Sequence, residues 1–231
     1  MSAVNEKNSL RAELGPGPFG NILQKSGKAA EALRRLPIYR QAKQVFVGPD
    51  DVLTQVRINA LLDGKELIMP APGLKEGFFL LKPYSIPFMK LGHAVTYKGL
   101  ADFGQRLSQE EIAGLQVGLL VAGAVAVDRE GGRLGDGLGF FDLSCAIFTE
   151  NNALALNVYL CALVDEGQVV AQVPQDEWDV KLNVIITGEQ VIELSAESFT
   201  GAKIIWDKLP PKRIRKITPL WNLSDHFGHE E

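Results

Sequence analysis

Glycines at close intervals, a basic side chain and an acid converge in one stretch of the chain. It reads Gly132-Arg133-Leu134-Gly135-Asp136-Gly137-Leu138-Gly139-Phe140-Phe141-Asp142. Glycine reaches positive φ at little cost and carries no Cβ to block an approaching phosphate. A turn that exposes backbone N–H groups and runs into a helix start makes an anion cradle. Arg133 is placed to hold a phosphate bidentately. Asp142, in the first turn of the following helix, is placed to hold Mg²⁺ beside phosphate oxygens. The plainer alternatives are a glycine-rich turn, a solvated Arg133 and a helix-terminal acid favoured by the dipole. Spacing alone leaves both sets open. The loop is not the dinucleotide fingerprint, and no Gly-Lys-Ser/Thr closes it as a Walker A loop.

The elements that must present this loop can be read from apolar patterning. Leu115–Val121 and Ala124–Val127 are buried strand material ahead of it, and Phe140–Glu150 is helix after it. Upstream, Ser26–Leu36 has helical apolar spacing with Ser26 as N-cap. Gln44–Val47 and Lys65–Met69 read as strands around a helix over Val52–Leu62, stopped by Gly64. Gly77–Leu81 is a third strand and Ala94–Tyr97 a fourth candidate, while Ser108 to Glu111 has capping-box spacing. Ala153–Val164, Asp179–Thr187, Gln190–Leu194 and Lys203–Trp206 complete the strands. This alternation predicts an open, mostly parallel α/β sheet with helices on both faces, Rossmann-like. The expected organisation is a mobile arm over 1–24, one α/β domain over 25–207 and a tail over 208–231.

Composition narrows the partners. The 231 residues are 46% hydrophobic and 23% charged, with a net charge of −4. That is globular composition with no basic field for nucleic acid. Cys145 and Cys161 lie in apolar segments, as buried free thiols of a reducing compartment do. The first residues are polar, and no apolar run approaches the ~20 residues of a membrane span. A cytoplasmic protein without a membrane partner is expected, of open oligomeric state.

The stretch from Gly132 to Asp142 resembles the signature of the 5-formyltetrahydrofolate cyclo-ligase (methenyltetrahydrofolate synthetase) family, Arg-Leu-Gly-x-Gly-x-Gly-Tyr-Tyr-Asp-Arg. Leu36–Lys43, Asp63–Pro70 and Asp179–Thr187 resemble further family segments in the same order. Asp142-Leu143-x-x-Ala146, Val47-x-Pro49-Asp50, Pro70-x-Pro72-x-Leu74 and Ile204–Leu209 resemble a divergent, cyclo-ligase-like branch. The resemblance implies a fold like the ribose-isomerase and CoA-transferase group, with ATP and Mg²⁺ as cofactors and a reduced folate as substrate. It implies conversion of 5-formyltetrahydrofolate to 5,10-methenyltetrahydrofolate by phosphoryl transfer to the formyl oxygen. Arg133 and Asp142 would be catalytic, Asp142 as metal ligand. Gly135, Asp136, Gly137, Leu138, Gly139 and Phe140 would line the triphosphate beside Arg133. Lys28 and Arg34 would supply the basic residues that the family's N-terminal helix gives to ATP, with a solvated helix face as their alternative. Four departures point to another outcome: Asp136 in place of Lys or Tyr, Leu143 in place of Arg, Trp178 in place of His, and no Gly-Ile-x-Glu-Pro substrate segment in Lys98 to Arg106. They define the alternative of a non-catalytic nucleotide- or folate-binding relative with a regulatory or other cofactor-metabolism role.

Overall fold

The computed structural model describes residues 3–14, 19–195 and 197–224. The Gly15–Pro18 turn expected in the arm, and His226 and His229 of the tail, lie outside the described residues. In chain order the helices begin with α1 (Ala3–Leu14), α2 (Phe19–Arg35) and α3 (Pro37–Gln41). Strand β1 (Gln44–Val47), helix α4 (Thr54–Leu62), β2 (Glu66–Pro70) and β3 (Phe78–Leu81) follow. Next come α5 (Leu91–Ala94), α6 (Tyr97–Phe103), β4 (Gln105–Arg106), α7 (Gln109–Ala113) and β5 (Val117–Ala122). The glycine region comprises β6 (Ala126–Val127), β7 (Arg133–Leu134) and α8 (Phe140–Glu150). The chain then runs through β8 (Leu154–Leu163), β9 (Val184–Ile186), β10 (Val191–Glu193), α9 (Pro211–Lys216) and α10 (Thr218–Ser224).

Eight strands form one sheet in the order β10-β9-β8-β5-β1-β2-β3-β4. The sheet is mixed, which corrects the mostly parallel expectation. Strands β9, β8, β5, β1 and β2 run parallel, whereas β10, β3 and β4 pair antiparallel at the two margins. Short connections explain the margins. The turn at Pro72–Leu74 between β2 and β3 is too short for the crossover that parallel neighbours require.

Alternate side chains of each strand feed two cores. Val45 and Val47 of β1 face α2 and α4, while Phe46 faces α8. Helices therefore cover both faces, and the central strands are buried throughout. On the α8 side Phe78 and Phe148 stack with centroids 4.4 Å apart, and Phe46 meets Phe148 edge-on at 5.2 Å.

Several expected elements shift. α2 starts at Phe19, so Ser26 lies inside it rather than at its cap. A serine costs an interior position only a few tenths of a kcal/mol, too little to start or stop a helix. Ala94–Tyr97 is not strand. It joins α5 to α6, and the Thr96 hydroxyl caps α6 by accepting the Gly99 N–H at 3.2 Å. Asp179–Thr187 contracts to β9, and Lys203–Trp206 forms no strand. The capping box on α7 is present as read, from Ser108 to Glu111. Ala3–Leu14, within the expected arm, is helical.

Candidate active site

The parallel strands β1, β2 and β5 end on one edge of the sheet, where Gly48, Ala71 and Gly123 border a cavity of about 510 Å³. The carboxyl edge of such a sheet is where α/β folds bind ligands. The glycine loop Gly135–Gly139 forms another wall.

The loop is built in two steps. β6 and β7 pair antiparallel, and the turn between them is tied to the buried Asp128. Its Oδ1 accepts the N–H of Glu130 at 2.9 Å and of Gly132 at 2.8 Å, and its Oδ2 accepts the Val173 N–H at 2.7 Å. That hairpin delivers Arg133. Only then does the chain enter the loop, with Gly137 at φ 94 and Gly139 at φ 64. Gly139 is the N-cap of α8 and supplies no capping side chain. The first N–H groups of α8 therefore keep their positive end toward the cavity.

Arg133 and Asp142 meet directly. Arg133 Nη2 donates to Asp142 Oδ2 at 2.6 Å, and Nη1 donates to the Gly123 carbonyl at 3.4 Å. Arg133 Nε is buried without a hydrogen-bond partner among the described residues. The guanidinium lies over the Phe141 ring, 4.7 Å from its centroid. Asp142 Oδ1 also accepts the Val180 N–H at 3.2 Å. Each carboxylate oxygen is thus engaged, and no cluster of three metal-ligating side chains occurs among the described residues.

Helix α1 supplies residues that the sequence reading did not select. Lys7, Asn8 and Arg11 line the cavity. Lys7 Nζ donates to Asp176 at 2.7 Å and to Asp179. Arg11 Nε donates to the Gly135 carbonyl at 2.8 Å. The available signal was the spacing Lys7–Arg11, which puts both cations on one helical face. The buried Arg57 was also missed. It braces the turn after β1 by donating to the carbonyls of Gly48 at 2.6 Å and Asp50 at 3.0 Å. Burial lowers its pKa to about 10, so it stays charged at neutral pH.

Lys28 and Arg34 are not brought to this cavity. Lys28 is exposed on α2 and absent from the cavity wall. Arg34 sits in a separate depression with Tyr39, Asp63 and Lys65, at the end of the sheet where β1 and β2 begin. Its Nε donates to Asp63 Oδ2 at 2.6 Å, and the Tyr39 hydroxyl donates to the same oxygen at 2.9 Å. α1, not α2, reaches the carboxyl edge, and so α1 places basic side chains in the cavity wall.

That distal network has a pH signature. Burial works to raise the Asp63 pKa, but hydrogen bonds from Arg34 and Tyr39 hold it below the usual range. A depressed carboxyl contributes stability that is present above its unfolded value, about 4, and is lost as pH falls through its folded value. Asp63→Asn is expected to cost about 1–2 kcal/mol in urea unfolding at pH 7. The gap from wild type should close as pH falls through the depressed folded value, below the ordinary carboxylate range. A gap that persists there would mean that the charge is not its source.

Among the aromatics, Phe46, Tyr97, Phe140, Phe141 and Trp178 line the cavity, whereas Trp206 packs on the core. Phe141 does both, lying 6.1 Å from Phe46. His93 is exposed and bonded to Asp102 at 3.0 Å.

A family model described as the 5-formyltetrahydrofolate cyclo-ligase family matches residues 4–188. The chain is similar to methenyltetrahydrofolate synthase domain-containing proteins of Danio rerio and Homo sapiens. The first is 29% identical over 216 residues, 90% of this chain and 56% of that protein. The second is 28% identical over 200 residues, 84% of this chain and 51% of that protein. The chain spans about half the length of the curated relatives it matches. Its fold is similar to the NMR structure of Aquifex aeolicus 5,10-methenyltetrahydrofolate synthetase, with a TM-score of 0.55 and 20% identity. That likeness covers 86% of this chain and 96% of the other.

Proposed function

The chain belongs to the 5-formyltetrahydrofolate cyclo-ligase family, and from that premise we propose that its cavity takes a reduced folate together with ATP and converts 5-formyltetrahydrofolate to 5,10-methenyltetrahydrofolate. One observation carries the reading. The uncapped N-terminus of α8 opens on the same aromatic-lined cavity as Arg133, Arg11 and Lys7. Phosphoryl transfer needs charge neutralisation and in-line placement more than a nucleophilic side chain, and this wall offers positive groups for the first. The glycine amides and the first N–H groups of α8 receive phosphate oxygens. Arg133, its ring contact and ion pair already fixing its orientation, stays in place as charge develops. Phe140, Tyr97 and Trp178 offer flat faces to a pterin.

Asp142 already serves Arg133 and the Val180 N–H, so its residual acceptor capacity fits a magnesium ion carried in on phosphate oxygens and water rather than one held by the protein. Such an ion would neutralise phosphate charge during transfer. Arg133 and Asp142 then act as a pair, the arginine on phosphate and the acid keeping it oriented.

The second reading, a binding relative without turnover, is favoured by charge. Five aspartates (Asp50, Asp136, Asp142, Asp176 and Asp179) face three basic residues (Lys7, Arg11 and Arg133) in the cavity wall. A polyphosphate must bring its own cation or displace an existing pairing. Asp136 itself is a small obstacle. Residues Asp136 to Gly139 are exposed, and one charge at ~4 Å in water costs about 1 kcal/mol rather than several.

The readings separate in one assay. Protein, 5-formyltetrahydrofolate, Mg²⁺ and ATP are mixed, and the near-ultraviolet absorbance of the methenyl product is followed. Product formation is the expected result. No product, with ATP still raising the unfolding temperature, supports the binding relative. No product and no ATP protection overturns both.

A further inference from the structure

The family match ends at residue 188, yet the chain beyond it returns to the glycine loop. α9 starts on Pro211, a residue suited to the first helical position. From α9, Arg213 Nη2 donates to the Leu138 carbonyl, and the guanidinium lies over the Phe140 ring at 5.1 Å. A Cβ added to Gly139 would stand 3.9 Å from that same Nη2. The segment is moored to the chain after β2 and to the core. The Thr218 N–H and hydroxyl both donate to the Lys75 carbonyl, at 3.0 and 2.8 Å, and Ile217 and Leu220 are buried in the α8-side core.

Asp136 grips the same peptide residue from the other end. Its Oδ1 accepts the Leu138 N–H at 2.9 Å. The acid thereby takes one amide that an anion would otherwise use, and adds a negative charge to the rim. Arg213 adds a positive charge at the carbonyl of that same Leu138. Burial lowers the Arg213 pKa and the charge of Asp136 raises it. An arginine starts high enough to remain charged at neutral pH.

We propose that Arg213 is a polyphosphate-positioning residue, the counter-charge that lets a loop carrying Asp136 accept a nucleotide triphosphate. The segment after the family match is then part of the binding site and not an appendage to it. This inference rests on the nucleotide reading above and adds a residue that lies outside the matched region.

The test is calorimetric titration of the full chain with ATP, inorganic tripolyphosphate and adenosine. Arg213→Gln should weaken ATP and tripolyphosphate about tenfold, as loss of a charge-assisted contact does. It should change adenosine less than about twofold. Arg213→Lys, which keeps the charge, should stay within about threefold of wild type for ATP. Asp136→Asn should tighten ATP by about threefold. Should Arg213→Gln fail to fold by circular dichroism, Arg213→Ala replaces it, since alanine is the strongest helix former. Equal losses for ATP and adenosine would reduce Arg213 to a structural prop and overturn the proposal. So would unchanged ATP binding by Arg213→Gln, or weaker ATP binding by Asp136→Asn. If wild type binds neither ATP nor tripolyphosphate, the nucleotide reading falls and this inference falls with it.

Discussion

Asp142→Ala is expected to lower the unfolding free energy by about 3–5 kcal/mol and to remove ATP binding. The two side chains of the pair are only 6% (Arg133) and 13% (Asp142) exposed. Without the carboxylate, Arg133 keeps one 3.4 Å contact to a carbonyl, with Nε still unpartnered. The Val180 N–H loses its acceptor as well. A buried pair broken on one side leaves an uncompensated charge, which costs more than the pair contributes when intact. Removing both charges should therefore be gentler. Arg133→Met with Asp142→Leu is expected to return to within about 1–2 kcal/mol of wild type in urea while still failing to bind ATP. A wild-type urea midpoint for Asp142→Ala would contradict the pairing. ATP binding by the double variant would remove Arg133 from the proposed phosphate site.

Lys7→Met is expected to weaken ATP at least about 100-fold with little change in the global unfolding temperature. Lys7 is 6% exposed although it belongs to the first helix, and it sits between Asp176 and Asp179. Its removal leaves two carboxylates facing each other, which is relieved when one takes up a proton or α1 moves away. α1 has little apolar purchase to resist this. Leu10 and Leu14 pack on the small cluster of Ala126, Leu134 and Val173. If α1 departs, Arg11 leaves Gly135 with it, so two cations are lost to the cavity at about 1.5–3 kcal/mol each. Hydrogen exchange should show faster exchange over residues 3–14 and unchanged protection in β5 and β8. Unaltered ATP affinity in this variant would place α1 outside the site.

The sheet was readable where its chemistry is local. Val117–Ala122 and Leu154–Leu163 are apolar runs bounded by turn residues, and both became central strands. The start of α8 was readable because a glycine-rich loop meets a helical apolar period there. Less of the antiparallel margin was visible. β4 is two exposed residues, and nothing in Gln105-Arg106 marks a strand until β3 offers its free edge. Ala94–Tyr97 is a short apolar run, which periodicity alone cannot assign to helix or strand.

In the candidate site, the loop and the pair Arg133 and Asp142 were legible as residue types. Their mutual ion pair was not, because it depends on β7 and α8 meeting across the loop. Basic residues were sought on α2, whose amphipathic pattern is strong, whereas the basic residues of α1, whose apolar pattern is weak, line the cavity. Arg213 could not have been found from spacing. It lies 75 residues from Leu138 and reaches it only through the docking of α10.

The most direct measurement is an amide NMR titration of the ¹⁵N-labelled chain with Mg²⁺ and ATP. Saturable shifts are expected at Gly135, Gly137, Leu138, Gly139 and Phe140, with the amides around Arg34 and Asp63 unmoved. Shifts confined to the Arg34–Asp63 end, or a glycine loop that does not respond at saturating nucleotide, would contradict the account.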